Sequence, residues 1–466
     1  MPNPPFKPAL ILHGGAGNIH RSKLPPNLYK KYHASLTSYL RSTRDMLYSG
    51  CSALDAAVHA VALMEDDELF NCGRGSVFTS AGTIEMEASV MVTSLQHPEG
   101  EGEGEGEIKR GAGVMGLKNV RNPIKLAREA LLRAGVDSSG KPRDDGGSMH
   151  SQLVAPYVEE LAKEWGLEFK PDEWFWTKRR WDEHRRGLHG TGQELYSETQ
   201  QLVPDGNGPV IEEVPSQGTV GCVCLDQWGN LAVATSTGGM TNKWPGRIGD
   251  TPTLGAGFWA EEWETSSPRS PAEPEAEEGN GGSVMSFVSE IRSLLGDCLL
   301  PVFRSTAMSY TPIPAAPVNA YTDEKQSLVH CSSLKGASRR AVAVSGTGNG
   351  DSFLRIAAAR TACAMLRFSS PGSKPCTLAD AVTAVVGPGG ELQRSAGKRW
   401  GKTGEGEGGM IGIEAETDSD KRHGEKRLKG KVVFDFNSNG MWRAWVEEDA
   451  NGRDRERVMV FREEYH

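Results

Sequence analysis

Apolar residues recur at helical spacing in three segments of the first third of the chain. Leucines and tyrosines follow one another every three or four positions in residues 28–48, which predicts a helix that ends before Gly50. A second helix is predicted at 52–63, because the segment starts with a serine and an aspartate follows three residues later. A third is predicted at 122–135, because Asn-Pro is a common helix start and a glycine closes the segment.

Short apolar runs predict strands in the remainder of the chain. The run at 9–12 is typical of a buried strand that enters a glycine turn at 13–17. Five more strands are predicted at 220–225, 231–236, 341–345, 431–434 and 441–446, with a helix at 351–367. Because the order lacks a regular βαβ rhythm, the pattern predicts a layered α+β fold and not a doubly wound parallel sheet.

Three polar segments interrupt these elements. The Glu-Gly alternation at 99–107 predicts a solvated loop, and the Gly-rich stretch at 185–215 predicts a flexible linker. A longer irregular insertion is predicted at about 264–340, with one short helix near 287–295. Its first part, 265–283, has no aromatic or large aliphatic residue and is expected to be disordered.

Composition narrows the class of protein. Among 466 residues there are 56 glycines and 26 prolines, so many tight turns are expected. The net charge of −9 argues against a nucleic-acid binder, which normally presents a basic face, and eight cysteines are too few for a disulfide scaffold. No apolar run is long enough for a signal peptide or a membrane helix. We therefore expect a cytoplasmic protein that binds neither nucleic acid nor membrane.

Residues 218–255 contain the most informative pattern. Two apolar runs flank the turn sequence Asp-Gln-Trp-Gly-Asn at 226–230, which predicts a β-hairpin. If Trp228 is its centre, Thr219 lies opposite Thr237, each nine positions away. Cross-strand Cβ atoms lie about 4.5–5.5 Å apart, so the two hydroxyls are expected to interact. Threonines are also common in strands, and the pairing alone leaves an ordinary structural role open.

The loop after this hairpin carries two opposite charges three residues apart. Arg247 offers a planar guanidinium that suits a carboxylate, and Asp250 suits an ammonium group. Together they match the head group of a free amino acid, which bears both charges on one carbon. The alternative is that the two side chains pair with each other, which contributes little if they are exposed.

A second glycine loop, Ser-Gly-Thr-Gly-Asn-Gly-Asp at 345–351, follows a predicted strand and opens a predicted helix. It lacks the dinucleotide-binding pattern, because Asp351 occupies the third glycine position and residues 366–378 contain no acid. The loop is better interpreted as an oxyanion hole, in which the Thr347 hydroxyl and backbone N–H groups face a developing negative charge.

With these residues the chain resembles the plant-type asparaginase/isoaspartyl peptidase family of N-terminal-nucleophile hydrolases. Its motif Thr-Ser-Thr-Gly-Gly-Met-Thr-Asn-Lys-Trp-Pro-Gly-Arg-Ile-Gly-Asp-Thr-Pro is long and specific. The segments that carry the resemblance are 12–17, 69–91, 120–127, 218–255, 347–350 and 436–443. The resemblance implies a four-layer αββα sandwich made as an inactive precursor. Autocleavage between Gly218 and Thr219 would give an α subunit, 1–218, and a β subunit, 219–466.

The resemblance also implies the nucleophile. Thr219 would attack the substrate, with Thr237 as its neighbouring hydroxyl. A threonine hydroxyl is a poor nucleophile without a base, but the α-amine freed by cleavage titrates near pH 8 and serves as that base. Cleavage therefore creates the base, which explains an inactive precursor. Gly218 permits the strained backbone that a peptide-to-ester shift needs.

Substrate binding follows from the same resemblance. Arg247 would bind the α-carboxylate of the substrate and Asp250 its α-amine, with Gly350 beside them. An enzyme that holds a free amino-acid head in this way must act on the β-carboxamide. The implied reaction is hydrolysis of L-asparagine, or of β-aspartyl (isoaspartyl) dipeptides, to aspartate plus ammonia or an amine.

Further implied features concern the oxyanion hole and the assembly. Thr347 and Gly348 would bind the oxyanion and contribute to substrate binding, with Asn71 as a supporting polar group. Members of this family are often dimers of αβ units. No cofactor is required, although a structural sodium ion on backbone carbonyls near Asn71 is expected in some members. Two departures are that Glu87 replaces a more usual aspartate near the Asn71 loop and that Gln217 precedes the cleavage site.

Three alternatives stay open. A glycosylasparaginase is disfavoured because no signal peptide is visible and because Gly238 follows Thr237, where that branch resembles an Asn-Gly pair. A taspase-like endopeptidase is disfavoured by Asp250, since a site inside a protein chain offers no free ammonium. An uncleaved, catalytically silent binding module is the third. The sequence leaves open the preferred substrate, the maturation rate and the role of the insertion.

Overall fold

The structure is a computed structural model, and it describes eight stretches of the chain. These are residues 6–94, 110–133, 150–189, 218–266, 337–369, 376–417, 427–449 and 451–465. The chain divides into a compact unit of residues 1–265 and 336–466 and a second unit of residues 266–335. Apart from Ser266, the second unit lies outside the described residues, as does the predicted Glu-Gly loop at 99–107.

The other two predicted irregular segments meet the described residues only at their ends. Residues 185–189 belong to a helix, so the linker predicted from residue 185 was wrong for these five residues. Residues 264–266 and 337–340 belong to strands, so regular structure extends into both ends of the predicted insertion. The rest of both segments, including the helix predicted near 287–295, lies outside the described residues.

The strands form two main sheets. They are β1 (Phe6–Lys7), β2 (Ala9–Gly17), β3 (Met86–Val92), β4 (Arg110–Leu117), β5 (Gln152–Val154), β6 (Val220–Leu225), β7 (Leu231–Thr237), β8 (Phe258–Ser266), β9 (Ala337–Gly348), β10 (Gly408–Thr417), β11 (Leu428–Lys429), β12 (Lys431–Phe436), β13 (Gly440–Glu448) and β14 (Asp454–Met459). The larger sheet has the order β14-β13-β2-β6-β7-β3-β4-β5, and the smaller has the order β12-β10-β9-β8. All pairings in the larger sheet are antiparallel except β4–β5. The mixed order confirms an α+β fold.

Helices flank these strands in the chain. They are α1 (Pro26–Tyr48), α2 (Ala53–Glu65), α3 (Pro123–Arg133), α4 (Tyr157–Glu164), α5 (Asp172–Phe175), α6 (Lys178–His189), α7 (Gly350–Ile356), α8 (Ala358–Arg367), α9 (Leu378–Val386) and α10 (Glu391–Ser395). The first three confirm the predicted helices, and the hydroxyl of Ser52 accepts from the N–H of Asp55 as its capping pattern indicated. Within the described ranges, no helix is both long and apolar enough to cross a bilayer.

Two predicted elements were wrong in detail. The helix predicted at 351–367 is two helices, α7 and α8, because Ala357 between them adopts a left-handed conformation with φ of 45°. The glycine turn predicted at 13–17 continues strand β2. Both edges of that strand are paired, with β6 and with β13, and the pairing with β13 contains a bulge. Tertiary pairing there overrides the turn tendency of glycine.

Three buried clusters form the core. One lies between α1–α3 and the larger sheet, one joins both sheets, and one lies between the smaller sheet and α7–α10. Strand alternation explains this division, because successive side chains point to opposite faces. In β2, Leu12 joins the first cluster and Ile11 the second; in β9, Ala343 joins the second and Val344 the third. Strands of both sheets are therefore buried on two faces.

The hairpin of β6 and β7 has the predicted register. Leu225 pairs with Leu231 next to the turn, and Val220 pairs with Ser236 at the far end. The next residues outward are Thr219 and Thr237, and continuing the same register places them opposite each other, as the sequence predicts. This end of the hairpin is where the candidate residues gather.

Candidate active site

Thr219 is buried at the start of β6, and its hydroxyl has an unexpected partner. Its Oγ1 lies 2.9 Å from the Oγ1 of Thr251, a residue of the loop that follows the hairpin. The hydroxyl of Thr237 instead accepts a hydrogen bond from the N–H of Gly239, at 3.0 Å. The Thr219 hydroxyl therefore contacts Thr251, which the sequence analysis missed, and not, as expected, the Thr237 hydroxyl.

Thr347 lies at the end of β9 and contacts the backbone of Thr219. Its hydroxyl donates to the Thr219 carbonyl at 2.8 Å and accepts from the N–H of Ala16 at 3.1 Å. A Cβ atom built on Gly218 would lie 2.7 Å from Thr347 Oγ1 and 3.0 Å from the nitrogen of Gly348. Gly218 is therefore pressed against the two groups assigned to the oxyanion hole, and a side chain there would clash.

Asn71 is buried beside the end of the hairpin. Its side-chain amide donates to the Gly239 carbonyl at 2.8 Å, and its Oδ1 accepts from the N–H of Val77 at 3.1 Å. Its backbone carbonyl also accepts from the N–H of Gly238. A Cβ built on Gly238 would lie 2.8 Å from Asn71 Oδ1, so the glycine pair lets the two loops touch. Asn71 therefore fixes the chain directly after Thr237.

Arg247 and Asp250 converge but do not pair with each other. Arg247 Nη2 binds the carboxylate of Asp351 at 2.7 Å, an ion pair that the sequence analysis did not anticipate. A Cβ built on Gly350 would lie 2.5 Å from Asp250 Oδ1 and 2.9 Å from Arg247 Nη2. The positive and negative groups therefore border the same small space above Gly350.

Asp250 is a buried carboxylate with spare hydrogen-bonding capacity. Only 4 % of the residue is exposed, and its Oδ2 has no hydrogen-bond partner among the described residues. Burial raises the pKa of Asp250 to about 7, although the positive charge of Arg247 acts in the opposite direction. A buried oxygen without a partner is costly, so this carboxylate is poised to accept hydrogen bonds from a cation.

Glu87 anchors the loop that carries Arg247 and Asp250. Its carboxylate accepts a hydrogen bond from the N–H of Gly249 at 3.0 Å. Burial raises the pKa of Glu87, whereas the positive charges of Lys243 and Arg247 act to lower it. Glu85, just before β3, accepts from the N–H of Gly246 at 2.7 Å, so these two acids anchor the loop on both sides of Arg247.

The turn after Asn71 packs tightly on its surroundings. Cβ atoms built on Gly73 and Gly75 would lie 2.2 Å from the carbonyl oxygen of Glu65 and 2.0 Å from that of Phe70, so a side chain at either position would clash. The sodium ion expected on carbonyls near Asn71 stays a prediction. Within the described ranges, no cluster of three or more His, Cys, Asp or Glu side chains is arranged to hold a metal.

Comparison with known proteins identifies similar sequences. A sequence profile of the asparaginase family matches residues 6–266. The isoaspartyl peptidase of Escherichia coli strain K12 is 36% identical over 254 residues, which are 54% of this chain and 68% of that protein. The isoaspartyl peptidase of Salmonella typhimurium is 35% identical over 254 residues (54% and 70%), and the isoaspartyl peptidase/L-asparaginase of Danio rerio is 34% identical over 257 residues (54% and 67%). The profile range includes Thr219 and Asp250 but ends before Thr347.

Proposed function

The chain belongs to the asparaginase family, and from that premise we propose that it is a self-processing threonine hydrolase of side-chain amides. Its substrates are L-asparagine and β-aspartyl (isoaspartyl) dipeptides, which it converts to aspartate plus ammonia or an amine. The observation that carries the substrate class is the buried Asp250 carboxylate, whose Oδ2 has no hydrogen-bond partner among the described residues, beside the guanidinium of Arg247. These two groups complement the ammonium and carboxylate of a free amino-acid head.

The first reaction is cleavage of the precursor. Thr219 Oγ attacks the carbonyl carbon of Gly218, the C–N bond breaks, and the hydroxyl proton ends on the released nitrogen. Water then hydrolyses the resulting ester, which releases the Gly218 carboxylate and restores the Thr219 hydroxyl beside the α-amine that the first step freed. The close approach of Gly218 to Thr347 and Gly348 supports this step, because it brings possible donors beside the residue whose carbonyl becomes negatively charged.

The second reaction is hydrolysis of the substrate. The freed α-amine accepts the proton of the Thr219 hydroxyl, which attacks the β-carboxamide carbon. The hydroxyl of Thr347 and the N–H of Gly348 stabilise the oxyanion, and Thr237 and Asn71 shape the site around it. The C–N bond breaks, ammonia or an amine takes up the proton, and water hydrolyses the aspartyl ester.

Several finer features complete the proposal. The fold is a four-layer αββα sandwich, which the three buried clusters support. The mechanism requires no cofactor, and a sodium ion on the carbonyls near Asn71 would serve to hold that loop in place. Assembly as a dimer of αβ units and a cytoplasmic location stay predictions from the sequence.

The wild-type protein tests the proposal directly. Denaturing electrophoresis should resolve the 50.4 kDa chain into fragments of about 24 and 27 kDa, because Thr219 becomes a new chain end. The processed protein should release ammonia from asparagine and hydrolyse β-Asp-Leu, and it should not act on glycosylasparagine. A persistent single band without ammonia release would favour a silent binding module. Strong activity on glycosylasparagine, or cleavage inside a protein chain, would favour the corresponding alternative.

Gly350→Ala should weaken substrate binding and leave processing intact. The residue lies in the first turn of α7, where alanine suits the backbone. The added methyl group would stand 2.5 Å from Asp250 Oδ1 and 2.9 Å from Arg247 Nη2, so one of them must move. We expect KM for asparagine to rise by about tenfold or more, since a charge-assisted hydrogen bond contributes that much. Steady-state kinetics and electrophoresis measure both effects, and an unchanged KM would contradict the proposed substrate position.

A further inference from the structure

We propose that Thr251 is a positioning residue for self-cleavage, whose hydroxyl orients Thr219 for attack while the chain is still a precursor. This inference rests on the proposed function, because it concerns the self-cleavage step. Before cleavage, the nitrogen of Thr219 is part of a peptide bond and is not a base. The attacking hydroxyl therefore needs another hydrogen-bond partner at that stage, and Thr251 Oγ1 lies 2.9 Å from it.

The backbone of Thr251 is held firmly enough to aim this hydroxyl. Thr251 is fully buried, and its carbonyl accepts a hydrogen bond from Ser89 Oγ at 2.6 Å. Thr235 Oγ1 in turn donates to Ser89 Oγ at 2.6 Å, across the paired strands β3 and β7. The larger sheet thus fixes the main chain of Thr251, and its side chain is left to contact the nucleophile.

The hydroxyl of Thr251 serves no competing local role. Threonine side chains in loops often bond to nearby backbone groups, as Thr253 does two residues later, where Oγ1 donates to the Gly249 carbonyl at 2.8 Å. Among the described residues, the hydrogen-bond partner of Thr251 Oγ1 is Thr219 Oγ1. The Thr251 hydroxyl therefore contacts a residue 32 positions earlier in the chain. The local turn does not require this contact.

The contact assigns Thr251 a defined part in the cleavage. Thr251 Oγ1 accepts the hydrogen bond of the Thr219 hydroxyl. This contact orients Thr219 so that a lone pair on its own oxygen points away from Thr251 and is free to attack Gly218. The Oγ–C bond then forms, the C–N bond breaks, and the proton ends on the released nitrogen, so Thr251 is unchanged at the end. Once the α-amine is free, it supplies the base, and the need for Thr251 falls.

The experiment compares maturation with turnover in matched variants. Thr251→Val keeps the shape of the side chain but removes the hydroxyl, and Thr251→Ser restores it. We expect Thr251→Val to slow conversion of the full-length band by about 10- to 100-fold, the range for loss of one orienting group. In its matured fraction, kcat for asparagine should fall by less than about fivefold, with KM unchanged, since the α-amine then acts as base. Thr251→Ser should mature at close to the wild-type rate.

Thr253→Val is the matched control, because it removes a hydroxyl from the same loop without touching the nucleophile, and it should mature within about threefold of wild type. Equal slowing by Thr253→Val, wild-type maturation of Thr251→Val, or a rise in KM alone would overturn the inference. If Thr251→Val does not fold, Thr251→Ala is compared with Thr251→Ser in the same way. An uncleaved wild-type chain would contradict the proposed function itself, so the two failures are distinguishable.

Discussion

Thr219→Ala should remain a single band of 50.4 kDa and release no ammonia from asparagine above background. The variant lacks the oxygen that attacks Gly218, so no fragment forms and no α-amine is freed. Both the nucleophile and the base of the second reaction are then missing. Removal of a nucleophile commonly lowers kcat by about 10³-fold or more, and here the loss of processing removes the residual activity as well. Electrophoresis over several days and an ammonia assay measure the two losses.

Thr219→Ser is the informative control for this prediction. It keeps an attacking hydroxyl and should still yield two fragments, because only a methyl group is lost. Thermal unfolding of Thr219→Ala should stay close to wild type, since the residue contributes one small side chain to the core. Two fragments from Thr219→Ala, with the larger one beginning at residue 219, would mean that the cleavage does not depend on this hydroxyl.

The hairpin was predictable because its register is encoded locally. The carboxylate of Asp226 accepts hydrogen bonds from the N–H groups of Trp228 and Asn230, at 3.0 and 2.9 Å, which closes the turn on itself. Gly229 supplies the positive φ of 93° that the turn needs. Because the turn is fixed by its own residues, it sets the pairing of the positions that follow on both strands. The same register predicts that Thr219 lies opposite Thr237.

The contacts of the candidate site were less predictable, because they join segments that are distant in sequence. Arg247 pairs with Asp351, which lies 104 residues later, and Thr347 reaches Thr219 across 128 residues. Thr251 could have been singled out from its place next to Asp250, but only the folded loop turns its hydroxyl toward Thr219. Motifs therefore identified the residue types of the site, and the packing of the two sheets decided which of them touch.

The break at Ala357 has a similar origin. Apolar residues recur at helical spacing over 351–367, but such a pattern carries no information about the sign of φ at any one residue. In the structure, α8 starts again after the left-handed residue, and the N–H groups of Ala359 and Arg360 bond to the carbonyls of Ala256 and Gly255. These bonds tie α8 to the loop that follows Asp250. The break at Ala357 therefore allows tertiary contacts that the apolar periodicity does not predict.

Asp250→Asn should lower activity and change its dependence on pH. A neutral amide binds the substrate ammonium less well, and we expect kcat/KM for asparagine to fall about 100-fold at pH 8. In the wild type, protonation of Asp250, with its pKa of about 7, removes the anion below neutral pH. The α-amine of Thr219 also becomes protonated below about pH 8. The logarithm of kcat/KM should therefore fall with a slope near two below pH 7 in the wild type and near one in the variant; equal slopes would contradict the role of Asp250.

The same substitution should stabilise the fold at neutral pH. The raised pKa means that the folded protein binds a proton between about pH 4 and pH 7 that the unfolded chain does not, so this carboxyl is least favourable to folding above pH 7. Asp250→Asn should therefore raise the free energy of unfolding by about 1–3 kcal/mol at pH 8, and the gain should vanish near pH 4.

Asp226→Asn is the matched control: both oxygens of Asp226 accept N–H bonds, so that change should destabilise the fold and leave KM unaltered. Thermal unfolding at both pH values measures each effect. Loss of both activity and stability in Asp250→Asn would mean that this carboxylate stabilises the fold. A gain in stability together with weaker substrate binding is the result expected of a carboxylate that binds a cation.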